Sequence, residues 1–238
     1  MERNNNPNSN ETMGHVTIGM KAPDFSAEST FGHINLADYT GKWLILFSHP
    51  GDFTPVCTTE FIAFAQLFQE FKNRNTELLG LSIDSNASHL AWVNAVYQAN
   101  GMTIPFPIIA DRMGEIARLY GMLAPDVSRQ ATVRSVYVID PNRIVRAIIV
   151  YPMTTGRNIY EILRLIDALQ TTDSADVPTP ANWIPGMPTL VPAPQTYEAL
   201  YRRLHDPAAM SLTCKDWYLC YHKTNPDETT HAQPTFDA

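Results

Sequence analysis

Cysteine, glycine and positive charge are scarce in this chain. Three cysteines and eleven glycines occur in 238 residues. So few thiols exclude a disulfide-stapled secreted scaffold, and in a cytoplasmic chain they point to redox or metal chemistry rather than structural cross-links. Lys and Arg number 17 against 24 Asp and Glu, for a formal charge of −7, and they form no basic cluster. Nucleic acid needs concentrated positive charge, and an acidic surface repels anionic lipid, so neither is expected as a partner. No apolar run approaches the ~20 residues of a membrane span, and residues 1–14 lack the apolar stretch of a signal peptide. The expected location is therefore the cytoplasm, with residues 1–14 as a disordered tail. No internal repeat is present.

What is there suits one sizeable core with an extension. Trp43-Leu44-Ile45-Leu46-Phe47 is a continuous apolar run of strand length, as suits a central strand buried on both faces. Phe31 to Leu36 reads as a hairpin arm, Glu77 to Asp84 as a second buried strand and Pro105 to Ala110 as a third. Ser85 or Asn86 caps a helix through about Ala99, with Leu90, Val93, Ala95 and Val96 near its apolar stripe. Gly114 to Tyr120 forms a helix closed by Gly121. Val133 to Asp140 and Ile144 to Tyr151 pair across Pro141-Asn142. The last clear helix is Arg157 to Leu169, followed by a proline-dense arm, a short helix around Tyr197 to Leu204, and a polar tail. Alternating strands and helices followed by a hairpin indicate an α/β fold with a mixed central sheet and helices on both faces. The expected division is a domain over residues 15–172 and a C-terminal arm over 173–238. An arm this long and apolar is expected to lie against a second subunit.

The stretch Leu46 to Glu60 carries the chemistry. A strand ends, Pro50-Gly51-Asp52 turns, and a helix begins that the pattern extends through Phe71. Cys57 falls in the first turn of that helix, where unpaired N–H groups and the macrodipole favour an anion, so a thiol there becomes a thiolate near neutral pH. Thr54 lies close enough to share a polar pocket with the sulfur, and Pro50 and Pro55 fix the turn. The competing reading of a lone cysteine is a buried apolar residue. Arg134 interrupts an apolar strand, so it either snorkels from an edge or points into a site.

Pro50-x-x-x-Thr54-x-x-Cys57 resembles the active-site signature of the peroxiredoxins, thiol peroxidases with a thioredoxin-like fold. Ser48-His49-Pro50-x-Asp52-Phe53-Thr54-Pro55-Val56-Cys57-Thr58-Thr59-Glu60 resembles the one-cysteine-like (peroxiredoxin 6) subfamily. The likeness runs from about Gly14 to Tyr221 and is strongest over 46–60, 104–111 and 150–170. It implies that Cys57 attacks the peroxide, that Arg134 faces the thiolate, and that Arg134 and Thr54 bind substrate. His49 takes a secondary place beside the thiolate, and Glu60 and Arg157 are supporting residues. Arg157 also reads as a solvated residue at a helix start.

Cys57, once oxidised to a sulfenic acid, can be trapped by another thiol, and Cys214 and Cys220 are the candidates. They also read as zinc ligands with His205, His222 and His231, but the spacing lacks paired C-x-x-C ligands, and neither metal nor other cofactor is expected. Archaeal-type members of the subfamily carry such a pair. By that resemblance Cys220 resolves Cys57 of another subunit and Cys214 relays the disulfide, and a helix-embedded Cys57 must then unwind locally. The resemblance further implies hydrogen peroxide and alkyl hydroperoxides as substrates, a thioredoxin-like reductant, and a homodimer swapped through its arms, with five dimers in a ring. Two rivals stand beside it. A protein disulfide oxidoreductase would carry Cys-x-x-Cys, but residue 60 is Glu. A chaperone (holdase) or redox signalling protein with secondary peroxidase chemistry would retain its function without Cys57.

Overall fold

A computed structural model describes residues 16–128, 130–206 and 210–222; the tail expected over residues 1–14 lies outside them. Two units divide the chain, Met1–Ile159 and Tyr160–Ala238.

In the first unit, β1 (Ser26–Ser29) and β2 (Gly32–Asn35) form a hairpin, and β3 (Trp43–Ser48) follows. Then come α1 (Pro55–Gln66), α2 (Phe68–Asn73), β4 (Thr76–Ser82), α3 (Asn86–Asn100), β5 (Ile108–Ala110), α4 (Glu115–Leu119), β6 (Arg134–Ile139) and β7 (Val145–Tyr151). The sheet order is β2-β1-β5-β4-β3-β6-β7. β3 runs parallel to β4 and antiparallel to β6, so the sheet is mixed as expected. Every residue of β3 is buried, because helices cover both of its faces. Leu44 and Leu46 face Ile116, Ala117 and Tyr120 from the α4 side. The alternate residue Phe47 stacks on Phe64 of α1 at 4.3 Å and tilts against Phe61 at 5.4 Å. A Cβ on Gly80 of β4 would stand 3.1 Å from the Phe61 ring, so the glycine makes room for that aromatic cluster.

Two elements of this unit depart from the sequence expectation. The helix expected through Phe71 ends at Gln66, where Leu67 leaves the helical region (φ −96°, ψ 6°) and α2 restarts the chain in a new direction. In α3 the buried stripe is His89, Trp92 and Val96, while Leu90 is exposed. The register turns because a histidine with buried partners outranks a leucine without them. Ser85 caps α3 as expected, accepting from the Ser88 N–H.

The second unit contains all of α5 (Ile159–Ala175) but its first residue, then β8 (Leu190–Val191), α6 (Tyr197–His205), β9 (Leu212–Asp216) and β10 (Leu219–His222). α5 outruns the expected end at Leu169. Its Arg164 donates to the Trp183 carbonyl at 3.0 Å, and the buried Trp183 indole donates to Met187 O at 2.9 Å, which ties the proline-dense segment to the helix. Beyond α6, where only a polar tail was expected, the chain forms a three-stranded sheet in the order β8-β10-β9. Pairing with β8 supplies the backbone partners that a hairpin alone would lack.

Candidate active site

The site is assembled where β3 ends. Ser48 closes that end by donating to Val133 O (2.6 Å) and accepting from the Ser135 N–H (3.1 Å), which fastens β3 to the start of β6. The turn beyond passes the half-buried Pro50, and Phe53 adopts a left-handed backbone (φ 56°). Thr132 donates to His49 O and the Asp52 N–H donates to Asp84, so the turn is held from two other loops. Thr54 is the N-cap of α1, yet its hydroxyl donates back to Gly51 O at 2.8 Å rather than receiving a helix N–H. Pro55 occupies the first helical position, where its missing N–H costs nothing. Cys57 follows in the first turn, fully buried and not disulfide-bonded.

Arg134 settles between its two readings. β6 lies between β3 and β7, so this is no edge residue, and Nη1 approaches Cys57 Sγ to 3.4 Å. The same nitrogen donates to Glu60 Oε2 at 2.6 Å, while Nε and Nη2 both donate to Met153 O. Arg157 is buried rather than solvated. Its backbone N–H and Nε donate to Glu60 Oε1, Nη2 donates to Glu60 Oε2, and Nη1 donates to Ser48 O and Ser135 O. Its guanidinium also lies 5.1 Å from the Phe47 ring centre. Burial, the largest influence, pushes the Arg157 pKa down, and the Glu60 charge and hydrogen bonds oppose it. Two guanidiniums thus surround one carboxylate and one sulfur in a water-excluded pocket. Their charges sum to zero only when Cys57 carries a negative charge.

A second buried cluster, not expected from the sequence, is made of His49, Asp52 and His89, the first two of which lie in the motif. His49 donates from Nε2 to Asp52 Oδ1 (3.1 Å), and its Nδ1 has no partner. His89 meets acceptors at both ring nitrogens: Asp52 at 2.9 Å from Nδ1 and Ile109 O at 3.1 Å from Nε2. Both ring nitrogens are thus engaged, and the Asp52 carboxylate lies between the two histidines. The spacing of the three side chains would also suit a metal ion. Trp92 stacks on His49 at 5.2 Å and donates its indole N–H to Thr58 Oγ1 at 3.2 Å; that hydroxyl donates to Thr54 O, so α3 grips the first turn of α1. The signal available in the sequence was the spacing of His89, Trp92 and Val96 along one helical face.

Burial pushes the Asp52 carboxyl up, but hydrogen bonds from His49 and His89 outweigh it and hold the group far below the usual carboxylate range. Burial, opposed by the Asp52 hydrogen bond and charge, likewise pushes His49 below the usual imidazole range. Both groups have folded pKa values below their unfolded ones, so each contributes stability that is complete above its unfolded value and is lost as pH falls through its folded value. The losses begin below about 6.5 for His49 and below about 3.9 for Asp52. Unfolding free energy by urea titration is accordingly expected to fall with acid. An Asp52→Asn variant is expected to be less stable at pH 7 and to show a shallower decline between pH 5 and 3. An unchanged slope would remove Asp52 from this account.

Cys214 and Cys220 stand opposite each other on β9 and β10 and are bonded to one another. His205 turns its Nδ1 to Tyr201 O, 2.9 Å away, and stacks on the Tyr201 ring. Among the described residues, the cluster with metal-ligand spacing is the one around Asp52, not one at the C-terminal cysteines; His231 lies outside those residues.

Comparison with known proteins matches residues 18–148 to the AhpC/TSA family and residues 168–204 to the C-terminal domain of 1-Cys peroxiredoxin. The chain is 58% identical to peroxiredoxin 2 of Caldanaerobacter subterraneus subsp. tengcongensis over 206 residues, covering 87% of this chain and 92% of the relative. It is 51% identical to a peroxiredoxin of Aquifex aeolicus, with 90% and 99% covered. Among solved structures, peroxiredoxin 6 of Arenicola marina superposes with a TM-score of 0.78 at 38% identity, covering 89% of this chain and all of that one. A yeast mitochondrial 1-Cys peroxiredoxin gives 0.77 at 39%, covering 88% and 100%.

Proposed function

Because the chain belongs to the peroxiredoxin family and is a thiol peroxidase, we propose the following division of labour among its residues. Cys57, as thiolate, attacks the outer oxygen of a peroxide. The O–O bond breaks, Cys57 becomes a sulfenic acid, and the remaining oxygen leaves as water or an alcohol after taking a proton. Arg134 Nη1 binds the sulfur and the oxygen pair, stabilising charge as it moves from one to the other. Thr54 contributes the second substrate contact. Glu60 holds both arginines, Arg157 locks Glu60 to the ends of β3 and β6, and His49 with Pro50 shapes the loop.

The observation that carries this reading is the charge count around Cys57, two buried guanidiniums against one carboxylate, which leaves the sulfur as the missing anion. The substrates are hydrogen peroxide and alkyl hydroperoxides, since only the reacting end must reach the buried sulfur. Cys220 resolves the sulfenic acid and Cys214 carries the disulfide onward to a thioredoxin-like dithiol. The yeast mitochondrial 1-Cys peroxiredoxin is likewise described as resolved through glutathione and thioredoxin systems. A swapped homodimer, five to a ring, and a cytoplasmic location complete the reading; no helix among the described residues is long and apolar enough to cross a membrane. The family membership favours this enzyme over the holdase rival.

The test is a sub-stoichiometric pulse of hydrogen peroxide on reduced protein, followed by a non-reducing peptide map. Peroxide attack confined to Cys57, followed by a Cys57 disulfide to Cys220 between chains, is the expected result. Cys57 left as sulfenic acid beside untouched C-terminal thiols would replace the resolving step by an external thiol. Peroxide consumed at an equal rate by a Cys57→Ser variant would end the reading.

A further inference from the structure

The second unit holds a buried cation that its packing does not explain. α6 exposes Tyr197, Tyr201 and Leu204, and its buried residue is Arg203, only 7% exposed. An amphipathic helix ordinarily buries its apolar side chains and leaves guanidiniums to water. Arg203 Nη1 donates to Pro192 O at 2.8 Å and to Trp217 O at 3.3 Å, and its Nε is buried with no partner. Both partners are neutral carbonyls. The adjacent Arg202 has its own carboxylate, Glu198, at 3.3 Å on the surface, so the helix carries a paired arginine outside and, among the described residues, an arginine inside with no carboxylate partner. A buried charge without a counter-ion is unfavourable, and it persists where something else requires it.

The carbonyl of Trp217 links this cation to the cysteine pair. Cys220 Sγ lies 3.9 Å from that oxygen and 3.4 Å from Asp216 O. The two sulfurs differ in access: Cys220 is fully buried and Cys214 is half-buried, with the exposed Trp217 and Tyr218 at the hairpin tip between them. An incoming thiol reaches Cys214 first. The sulfur that must leave is the one that shares the Trp217 carbonyl with the guanidinium.

We propose that Arg203 is a positioning residue for the C-terminal redox pair, making Cys214 the sulfur that a reducing dithiol attacks and Cys220 the sulfur that leaves as thiolate. The proposal rests on the reading that this pair is recycled by a dithiol. A thiolate of the reductant bonds to Cys214 Sγ, and the electron pair of the Cys214–Cys220 bond departs on Cys220. The second thiol of the reductant then attacks the mixed disulfide and expels Cys214 as thiolate. The reductant ends as a disulfide; one of its two protons ends on Cys214 and the other goes to solvent, while Cys220 stays a thiolate. Reduction thus creates the anion that the buried guanidinium lacks, which stabilises the reduced form and makes the pair easier to reduce. The two carbonyl oxygens near Cys220 favour its neutral thiol, but one of them is already engaged by Arg203. Of the charged groups nearby, Asp216 is exposed and accepts from the Trp217 N–H at 2.7 Å, and Lys215 is exposed. Neither matches a full positive charge held out of water.

The experiment uses the full chain with Cys57→Ser, so that only the C-terminal thiols respond. In that background with Cys214→Ser, the pH dependence of iodoacetamide alkylation should place Cys220 at least one unit below the ordinary thiol value of about 8.5. A value at or above 8.5 overturns the proposal. With both C-terminal cysteines present, Arg203→Met should lower the equilibrium constant for reduction by dithiothreitol at least tenfold, about 30 mV for this two-electron couple. Arg203→Lys, which keeps the charge, should stay within about threefold of the parent. A merely structural arginine would leave the Met and Lys variants alike, and that result counts against the proposal. If the Met variant fails to fold, the Cys220 titration and the Lys variant still decide. Brief exposure of the oxidised pair to glutathione should place the mixed disulfide on Cys214, and finding it on Cys220 would reverse the direction of attack. These readings do not depend on Cys57, so a failed peroxidase reading and a failed role for Arg203 are told apart by whether wild-type protein forms a Cys57 sulfenic acid.

Discussion

Replacing Glu60 with alanine should lower the unfolding free energy by about 3–5 kcal/mol, the range for removing one partner from a buried ion pair. The carboxylate is buried and receives hydrogen bonds from Arg134 Nη1 and from the backbone N–H, Nε and Nη2 of Arg157. Without it two guanidiniums share a dry pocket with no compensating charge except the sulfur. Glu60→Gln should fall between, because its amide presents an N–H₂ to donors that already point inward. Urea unfolding followed by tryptophan fluorescence reads both variants. A loss under about 1 kcal/mol for the alanine variant would mean that water or relaxation satisfies the arginines, and the pocket would not be the dry one described.

Arg134 should be irreplaceable even by lysine. Its Nε and Nη2 are spent on Met153 O, and that anchoring aims Nη1 at Glu60 and Cys57 together. A lysine has one flexible ammonium and no planar fork, so it can supply the charge but not the aim. Loss of one positioned donor typically slows an enzyme about 10²–10³-fold. The expected second-order rate constant of Arg134→Met with hydrogen peroxide, by stopped flow, is reduced by about that factor. Arg134→Lys should recover no more than about tenfold of it. A lysine variant within twofold of wild type would show that charge alone suffices and that the Met153 anchor is incidental.

How far the sequence reaches is visible in the same residues. β3, β4 and β6 announce themselves as apolar runs, because a strand buried on both faces has no polar choice. Cys57 and its helix start are legible through Pro55 and the turn before it, a local grammar of a few residues. Arg134 is legible as an anomaly, a charge inside an apolar strand. Arg157 is not, because its burial depends on Glu60, 97 residues away. His89 is hidden for the same reason: it reads as a polar helix residue until Asp52, 37 residues earlier, is brought beside it. The β9–β10 hairpin escapes notice because its strands are short, polar on one face and dependent on β8. Periodicity reports what one element does alone, and these features exist only between elements.

The grip of α3 on the first turn of α1, through Trp92, Thr58 and Thr54, has a bearing on time as well as on shape. On the proposed role of Cys57, a sulfenic acid formed there would be enclosed as the thiol is, and a second protein thiol would reach it only after that turn lets go. Until then a second peroxide competes for the same sulfur and would carry it on to sulfinic acid. The Trp92 indole therefore acts as an escapement. The longer it holds, the lower the peroxide concentration at which the enzyme is consumed by its own substrate.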